Sequence, residues 1–323
     1  MPSTGAGQRA RVPDISPGAK MTTMDTAQFA VIRSTPGFFA ALDQSGGSTP
    51  KALAEYGVAP DRYTNDAEMY DLVHAMRTRI VTNPAFDGTR VLAAILFEQT
   101  MTRAVDGLPT GQYLWEKKHV VPFLKVDKGL SDSEHGVRLM KPIDGVDDTL
   151  AEANRHGMFG TKMRSVIDDA NPAGIQSIVD QQFDLAARIA AAGLVPIIEP
   201  EVSIASPRKA EAEELLREAL ERGVAAWRAD TPVMLKLTIP TRVALYADLA
   251  ADPRVLRVLA LSGGYSRTEA CELLARDPSM IASFSRALLE GLREDQSERD
   301  FTARLDASIA EIYRASTVKQ PAT

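Results

Sequence analysis

Short apolar runs alternate along this chain with longer stretches in which apolar residues recur every three or four positions. Eight runs stand out: Phe38–Leu42, Val91–Phe97, Val120–Leu124, Met158–Lys162, Leu194–Ile198, Val233–Leu235, Val258–Leu261 and Met280–Ser283. Buried parallel strands read as continuous apolar stretches because helices cover their outer face. Between the runs, Ile175, Ile178, Val179, Phe183, Ala186, Ile189 and Ala190 recur at helical spacing, and Gly193 supplies a stop. The stretch Lys209–Arg222, rich in Glu, Ala, Leu and Arg, predicts a helix whose charges form a solvated face. The alternation predicts a parallel α/β fold. Eight strand–helix units, with no repeat of solenoid type and no linker between two folded halves, predict a single TIM (β/α)8 barrel over residues 25–312. A doubly wound open sheet is the rival, but the glycine fingerprint expected after its first strand is absent. Residues 1–24 read as a disordered N-terminal extension, with Met21 and Met24 as alternative starting residues, and residues 313–323 as a C-terminal tail.

The polar residues at the ends of these runs change the picture most. The first run meets Asp43, the second Glu98 and the third Lys125; the fourth carries Lys162 and Arg164, the fifth Glu199 and Glu201, and the sixth Lys236. The seventh stops at Ser262-Gly263-Gly264 and the eighth at Ser283, Ser285 and Arg286. In a TIM barrel the C-terminal strand ends form the active-site face, so these side chains should share one pocket. The intervals from 125 to 162, 162 to 199 and 199 to 236 are each 37 residues, the length of one long βα unit.

A lone lysine in Val233-Met234-Leu235-Lys236-Leu237 would ordinarily be read as a strand-end side chain snorkelling to water. Here Glu199 and Glu201 come from the neighbouring strand and Lys162 from the strand before it. A nearby cation and loss of water favour a neutral amine, the form that attacks a carbonyl, so nucleophilic use becomes the better reading of Lys236. Glu199 and Glu201 fall on one strand face because side-chain direction repeats every two residues. Taken alone they read equally as salt-bridge acceptors for Lys162 and Lys236 or as the proton-handling group that imine formation requires. Asp43 reads either as a helix cap or as a further catalytic acid. Backbone N–H groups of Ser262-Gly263-Gly264, together with Arg286, suit a phosphate after strands seven and eight. Lys125, with Ser45 and Ser48 in the loop after the first strand, suits a second anion opposite, and Arg164 is a further candidate for binding substrate. Two such sites around a central lysine imply a substrate phosphorylated at both ends.

Composition sets limits on partners. The net charge of −6 argues against general nucleic-acid binding, and no apolar run approaches the roughly 18 residues of a membrane helix. The single cysteine, Cys271, allows no intrachain disulfide and fits a reducing compartment, so the expected location is the cytoplasm. Its setting, Glu269-Ala270-Cys271-Glu272-Leu273, predicts a structural thiol on an amphipathic helix. His74, His119, His135 and His156 show no metal-ligand spacing, so no metal site is expected.

From Phe38 to Leu292 the motifs resemble those of class I fructose-1,6-bisphosphate aldolases, in particular a shorter bacterial branch. They are Leu42-Asp43-Gln44-Ser45-Gly46-Gly47-Ser48, Phe123-Leu124-Lys125-Val126-Asp127-Lys128-Gly129, Thr161-Lys162-Met163-Arg164, Pro196-Ile197-Ile198-Glu199-Pro200-Glu201, Leu235-Lys236, Leu261-Ser262-Gly263-Gly264 and Ser283-Phe284-Ser285-Arg286-Ala287-Leu288. The resemblance implies that Lys236 is the Schiff-base lysine and Glu199 the carboxylate moving protons around the imine, with Glu201 and Lys162 as charged neighbours. It implies that Asp43 assists removal of the C4 hydroxyl proton. Ser262, Gly263, Ser285 and Arg286 correspond to the phosphate cradle on the dihydroxyacetone-phosphate side, and Lys125, Ser45 and Ser48 to the other. Because the iminium is the electron sink, the resemblance implies no metal or other cofactor; it leaves a homo-oligomer open. The chain departs from animal-type relatives at Phe97-Glu98-Gln99-Thr100, which lacks their histidine, at Leu237 after the lysine, and at Ser285 where they carry glycine. A tail tyrosine helps protonate the enamine in longer relatives; this chain ends soon after Tyr313. The alternatives to fructose-bisphosphate cleavage are a Schiff-base aldolase or transaldolase for another phosphosugar, and an inactive barrel serving as scaffold or sensor.

Overall fold

The computed structural model describes residues 25–320; the extension assigned to residues 1–24 lies outside the described residues. Eight parallel strands are the frame: β1 Phe38–Leu42, β2 Val91–Leu96, β3 Val121–Lys125, β4 Gly160–Ile167, β5 Val195–Val202, β6 Val233–Thr238, β7 Val255–Leu261 and β8 Ile281–Phe284. Each pairs in parallel with the next, β8 pairs with β1, and the sheet closes on itself. The expected (β/α)8 barrel is therefore formed. One short antiparallel strand, Val137–Arg138, extends the outer end of β4.

Two apolar clusters fill the molecule, one between strands and outer helices and one inside the barrel. The inner cluster contains Phe39 and Ala41 of β1, Ala93 and Ile95 of β2, Phe123 of β3, Val195 and Ile197 of β5, Met234 of β6, and Ile281 of β8. Phe39 and Phe123 pack with ring centroids 5.6 Å apart. Gly160 makes room for this filling: a Cβ there would lie 2.6 Å from the Phe123 ring and 2.2 Å from the Val195 carbonyl oxygen. Helix Thr26–Ser34 closes the end opposite the site. Asp25 caps it, Ile32 joins the inner cluster, and Arg257 donates to the Ile32 and Thr35 carbonyls at 2.9 and 3.1 Å.

Because strand side chains alternate, the inward series continues with period two into polar residues. Phe39 and Ala41 lead to Asp43, Phe123 to Lys125, Ile197 to Glu199, Met234 to Lys236 and Ile281 to Ser283. The interior thus changes from apolar to charged near the C-terminal strand ends. This corrects the expected strand limits, since β4, β5 and β6 run to Ile167, Val202 and Thr238. An apolar run breaks off at the first charge, but an inward charge at this level still belongs to the strand.

The last helix spans Glu298–Thr317, so the division expected between residues 312 and 313 falls inside it. That helix ends against the start of β8. Ser316 Oγ accepts the Ala282 N–H at 3.0 Å, and Lys319 donates to the carbonyls of Leu274, Met280 and Ala315. Apolar contacts to the outer core together with these bonds hold the segment as helix. Tyr313 lies one turn before Thr317 on this helix and packs, partly buried, against the outer core. Cys271 is buried on helix Arg267–Ala275, and burial pushes its thiol up to about 12. No helix among the described residues is long and apolar enough to cross a membrane.

Candidate active site

The charged layer surrounds Lys162, whose side chain is 2% exposed. Its Nζ lies 2.6 Å from Asp43 Oδ2, 3.1 Å from Glu199 Oε2 and 3.9 Å from Asp127 Oδ2. Glu199 turns its other oxygen, Oε1, to Lys236 Nζ at 3.1 Å. One carboxylate therefore bridges the two lysines. Lys236 is itself 4% exposed, yet it reaches an open cavity of about 630 Å³ that also holds Asp43, Glu199, Glu201, Arg164 and Arg286.

Glu199 and Glu201, equivalent on strand spacing, are separated by their partners. Glu201 is in close contact with Arg164 Nε and touches neither lysine within 4.0 Å among the described residues, whereas Glu199 contacts both. Burial alone would favour loss of the Arg164 charge, but Glu201 outweighs it and holds the guanidinium firmly protonated. Gln182, fully buried on helix Pro172–Ala191, fixes Glu199 from outside the barrel by accepting its backbone N–H at 2.8 Å.

Burial would raise the Asp43 carboxyl, yet the ammonium groups of Lys162, Lys236 and Lys125 hold it well below its ordinary value of 3.8. Burial likewise opposes the Lys162 ammonium, and Asp43, Glu199 and Asp127 together hold it well above its ordinary 10.5. A depressed carboxyl contributes stability that is present above its unfolded value and lost as pH falls through the folded one. A raised ammonium contributes stability present below its unfolded value and lost as pH rises through the folded one. Neither group titrates between about pH 5 and about pH 9. The melting-temperature difference between wild type and Asp43→Asn is accordingly expected to stay constant over that interval. Calorimetry at several pH values checks this, and a difference drifting by several degrees would count against the pairing.

Ser262, Gly263, Gly264, Ser283, Ser285 and Arg286 line the same cavity, as the run ends predicted. Gly263 has φ +59 and Gly264 φ +128, and a Cβ on Gly263 would meet Ile204 Cγ2 at 2.8 Å. Only glycine combines that turn with that packing. The helix opened by Arg286 is a single turn, Arg286–Leu289, so its dipole is small and positive charge comes from the guanidinium itself. Ser283 Oγ is buried without a partner among the described residues and faces the cavity.

The loop after β1 behaves differently. Ser48 lines the cavity, but its hydroxyl donates to the Ser45 carbonyl at 2.9 Å, and Ser45 is not on the wall. Lys125 is off the wall too: its Nζ is held by Asp127 Oδ1 at 2.7 Å and by the Asp127 carbonyl at 2.8 Å. Asp127, which the run ends do not single out, also accepts the Arg164 N–H at 3.2 Å. Lys125, Lys162, Arg164 and Lys236 thus face Asp43, Asp127, Glu199 and Glu201, a formally balanced set. Extra positive charge for a phosphate must come from outside it, and Arg286 is placed to supply it.

The sequence model of the glycolytic family described as fructose-bisphosphate aldolase class-I matches residues 25–240. The chain belongs to the class I fructose-bisphosphate aldolase family. A curated relative from Synechocystis, named fructose-bisphosphate aldolase class 1, is 57% identical over 90% of this chain and 96% of its own. Another of that name from Clostridium acetobutylicum is 54% identical over 91% of this chain and 99% of its own. The barrel also superposes on a fructose-bisphosphate aldolase structure from Plasmodium falciparum with a TM-score of 0.73, covering 92% of this chain and 97% of that one. At 19% identity that likeness speaks for the fold alone. The activity is that of a carbon–carbon lyase, the reversible cleavage of fructose-1,6-bisphosphate to dihydroxyacetone phosphate and glyceraldehyde-3-phosphate. Class I aldolases act on a phosphorylated sugar through a Schiff base without a metal.

Proposed function

We propose that Lys236 is the Schiff-base residue of this aldolase and that Glu199 moves the protons of imine formation. The carrying observation is the Glu199 bridge, 3.1 Å from each lysine. Lys236 attacks C2 of the ketose as its proton passes to Glu199. The resulting carbinolamine takes that proton on its hydroxyl and loses water, leaving an iminium. Asp43 accepts the C4 hydroxyl proton, the C3–C4 bond breaks, and its electrons flow to the iminium nitrogen to form an enamine. Glyceraldehyde-3-phosphate leaves, the enamine takes up a proton at C3, and hydrolysis frees dihydroxyacetone phosphate. The Lys162 ammonium holds Asp43 and Glu199 on either side of it and offsets their repulsion, and Arg164 keeps Glu201 in place.

Phosphate on the dihydroxyacetone-phosphate side is assigned to Ser262, Gly263, Gly264, Ser283, Ser285 and Arg286. For the other phosphate Ser48 is the residue on the cavity wall, its hydroxyl turned to the Ser45 carbonyl, whereas Ser45 and Lys125 lie off the wall and Lys125 is held by Asp127. Because the iminium is the electron sink, the assignment needs no metal or other cofactor. A cytoplasmic, homo-oligomeric enzyme fits the reading, with neither nucleic acid nor membrane as partner.

Borohydride reduction in the presence of dihydroxyacetone phosphate is expected to fix one substrate carbon skeleton per chain on Lys236, located by peptide mass mapping. The adduct is expected to form equally after exhaustive EDTA treatment. An adduct on Lys162 with Lys236 untouched, or one that required added zinc, would overturn the assignment.

A further inference from the structure

We infer that Gln44, held by the buried Arg77, is a positioning residue that turns the Ser285 hydroxyl into a donor toward substrate phosphate. The inference rests on the phosphate role proposed above for the end of β8. Arg77 lies on helix Asp66–Thr82, outside the barrel, and is only 1% exposed. Its Nη1 donates to Thr100 Oγ1 at 2.6 Å, and its Nη2 to the Gln44 carbonyl at 2.5 Å and to Gln44 Oε1 at 3.4 Å. Burial pulls the guanidinium down to about 10, which leaves it charged at neutral pH. A guanidinium can only donate, so the Gln44 side chain must present its oxygen to Arg77 and its NH2 the other way. That NH2 donates to Ser285 Oγ at 2.7 Å.

The consequence falls on the serine. A hydroxyl has one proton and two lone pairs, and Ser285 Oγ spends a lone pair on Gln44. Its proton is left to point elsewhere. Ser285 and Arg286 both line the cavity that holds Lys236, so an anion seated beside Arg286 is the natural acceptor. The chain Arg77, Gln44, Ser285 is then a one-way series of donors ending on phosphate, and each bond polarises the next. It also ties the second residue after β1 to the residue before Arg286 after β8, fixing the two sides of the site relative to each other.

The test is made at Gln44, because removing Arg77 would also release Thr100 and a backbone carbonyl. Gln44→Met keeps the length and loses the donor, and Ser285→Ala loses the hydroxyl. Each is expected to raise KM for fructose-1,6-bisphosphate, and the inhibition constant of inorganic phosphate, roughly ten-fold, with kcat within about three-fold. The double variant is expected to be no worse than Ser285→Ala, since Gln44 acts through that hydroxyl. Should Gln44→Met fold poorly, Gln44→Glu keeps the acceptor for Arg77 while losing the N–H, and the same or a larger rise in KM is expected. Unchanged KM and phosphate inhibition in a folded Gln44 variant, or fully additive effects in the double variant, would overturn the inference. Borohydride trapping is run alongside: failure in wild type condemns the parent assignment, whereas normal trapping with unchanged phosphate binding condemns only this one.

Discussion

Replacing Lys236 with methionine is expected to lower kcat for fructose-1,6-bisphosphate cleavage on the order of 10⁵-fold and to abolish borohydride trapping, while leaving the barrel folded. The size follows from losing the covalent route altogether: without an iminium there is no electron sink for the C3–C4 bond. The fold should survive for a reason visible in the charged layer. Methionine fits the volume of a lysine stem that is already buried among apolar strand residues. Glu199 keeps Lys162 at 3.1 Å, so the substitution leaves no carboxylate buried alone. A melting temperature within a few degrees of wild type, together with the lost adduct, would separate chemistry from folding. A variant retaining a hundredth of the activity would place the nucleophile elsewhere.

Much of the barrel is legible in the sequence because its strands are buried on both faces. Phe38–Leu42 and Val91–Leu96 are apolar at every position, and a short continuous run bounded by polar residues suits a strand covered on both sides. The pattern is less informative at the polar ends. Lys162, Glu199 and Lys236 interrupt apolar runs and so look like strand ends, yet they are inward residues of strands that continue beyond them. Alternation is the available signal. It puts Glu199 and Glu201 on one face, and the same rule extended through β4 keeps Arg164 in its strand.

The site itself is legible where residues come from strand ends and obscure where they come from elsewhere. Asp127 sits two residues past Lys125, so its role depends on how the chain turns after β3, which spacing does not reveal. Arg77 is hidden for the opposite reason, being charged on a helix and thus read by default as solvated. It nonetheless falls on the buried stripe through Met69, Val73, Met76, Ile80 and Val81, four residues after Val73 and four before Val81. A charge on an apolar stripe is the signal. The equivalence of Lys125 with the other lysines fails because Asp127 occupies it, a pairing that only the folded loop creates.

Asp43→Asn is expected to lower cleavage of fructose-1,6-bisphosphate about 10³-fold while Lys236 remains fully trappable with dihydroxyacetone phosphate. Asp43 contacts Lys162 and not Lys236 within 4.0 Å among the described residues, so imine formation through Glu199 should proceed without it. On the proposed assignment, what is lost is the acceptor for the C4 hydroxyl proton, which only the cleavage step needs. Asparagine leaves Lys162 its contacts with Glu199 at 3.1 Å and Asp127 at 3.9 Å, so that cation is not stranded. The geometry also makes a demand on the wild-type enzyme. A carboxylate held so far below its ordinary value by Lys162 is a poor base, so it can take a proton only if substrate draws that ammonium toward Glu199 and Asp127. Single-turnover measurements distinguish the cases: normal trapping with slow release of glyceraldehyde-3-phosphate supports the base role. Loss of trapping along with cleavage would make Asp43 a structural partner of Lys162 instead, and the proton acceptor would have to be sought among the other carboxylates of the cavity.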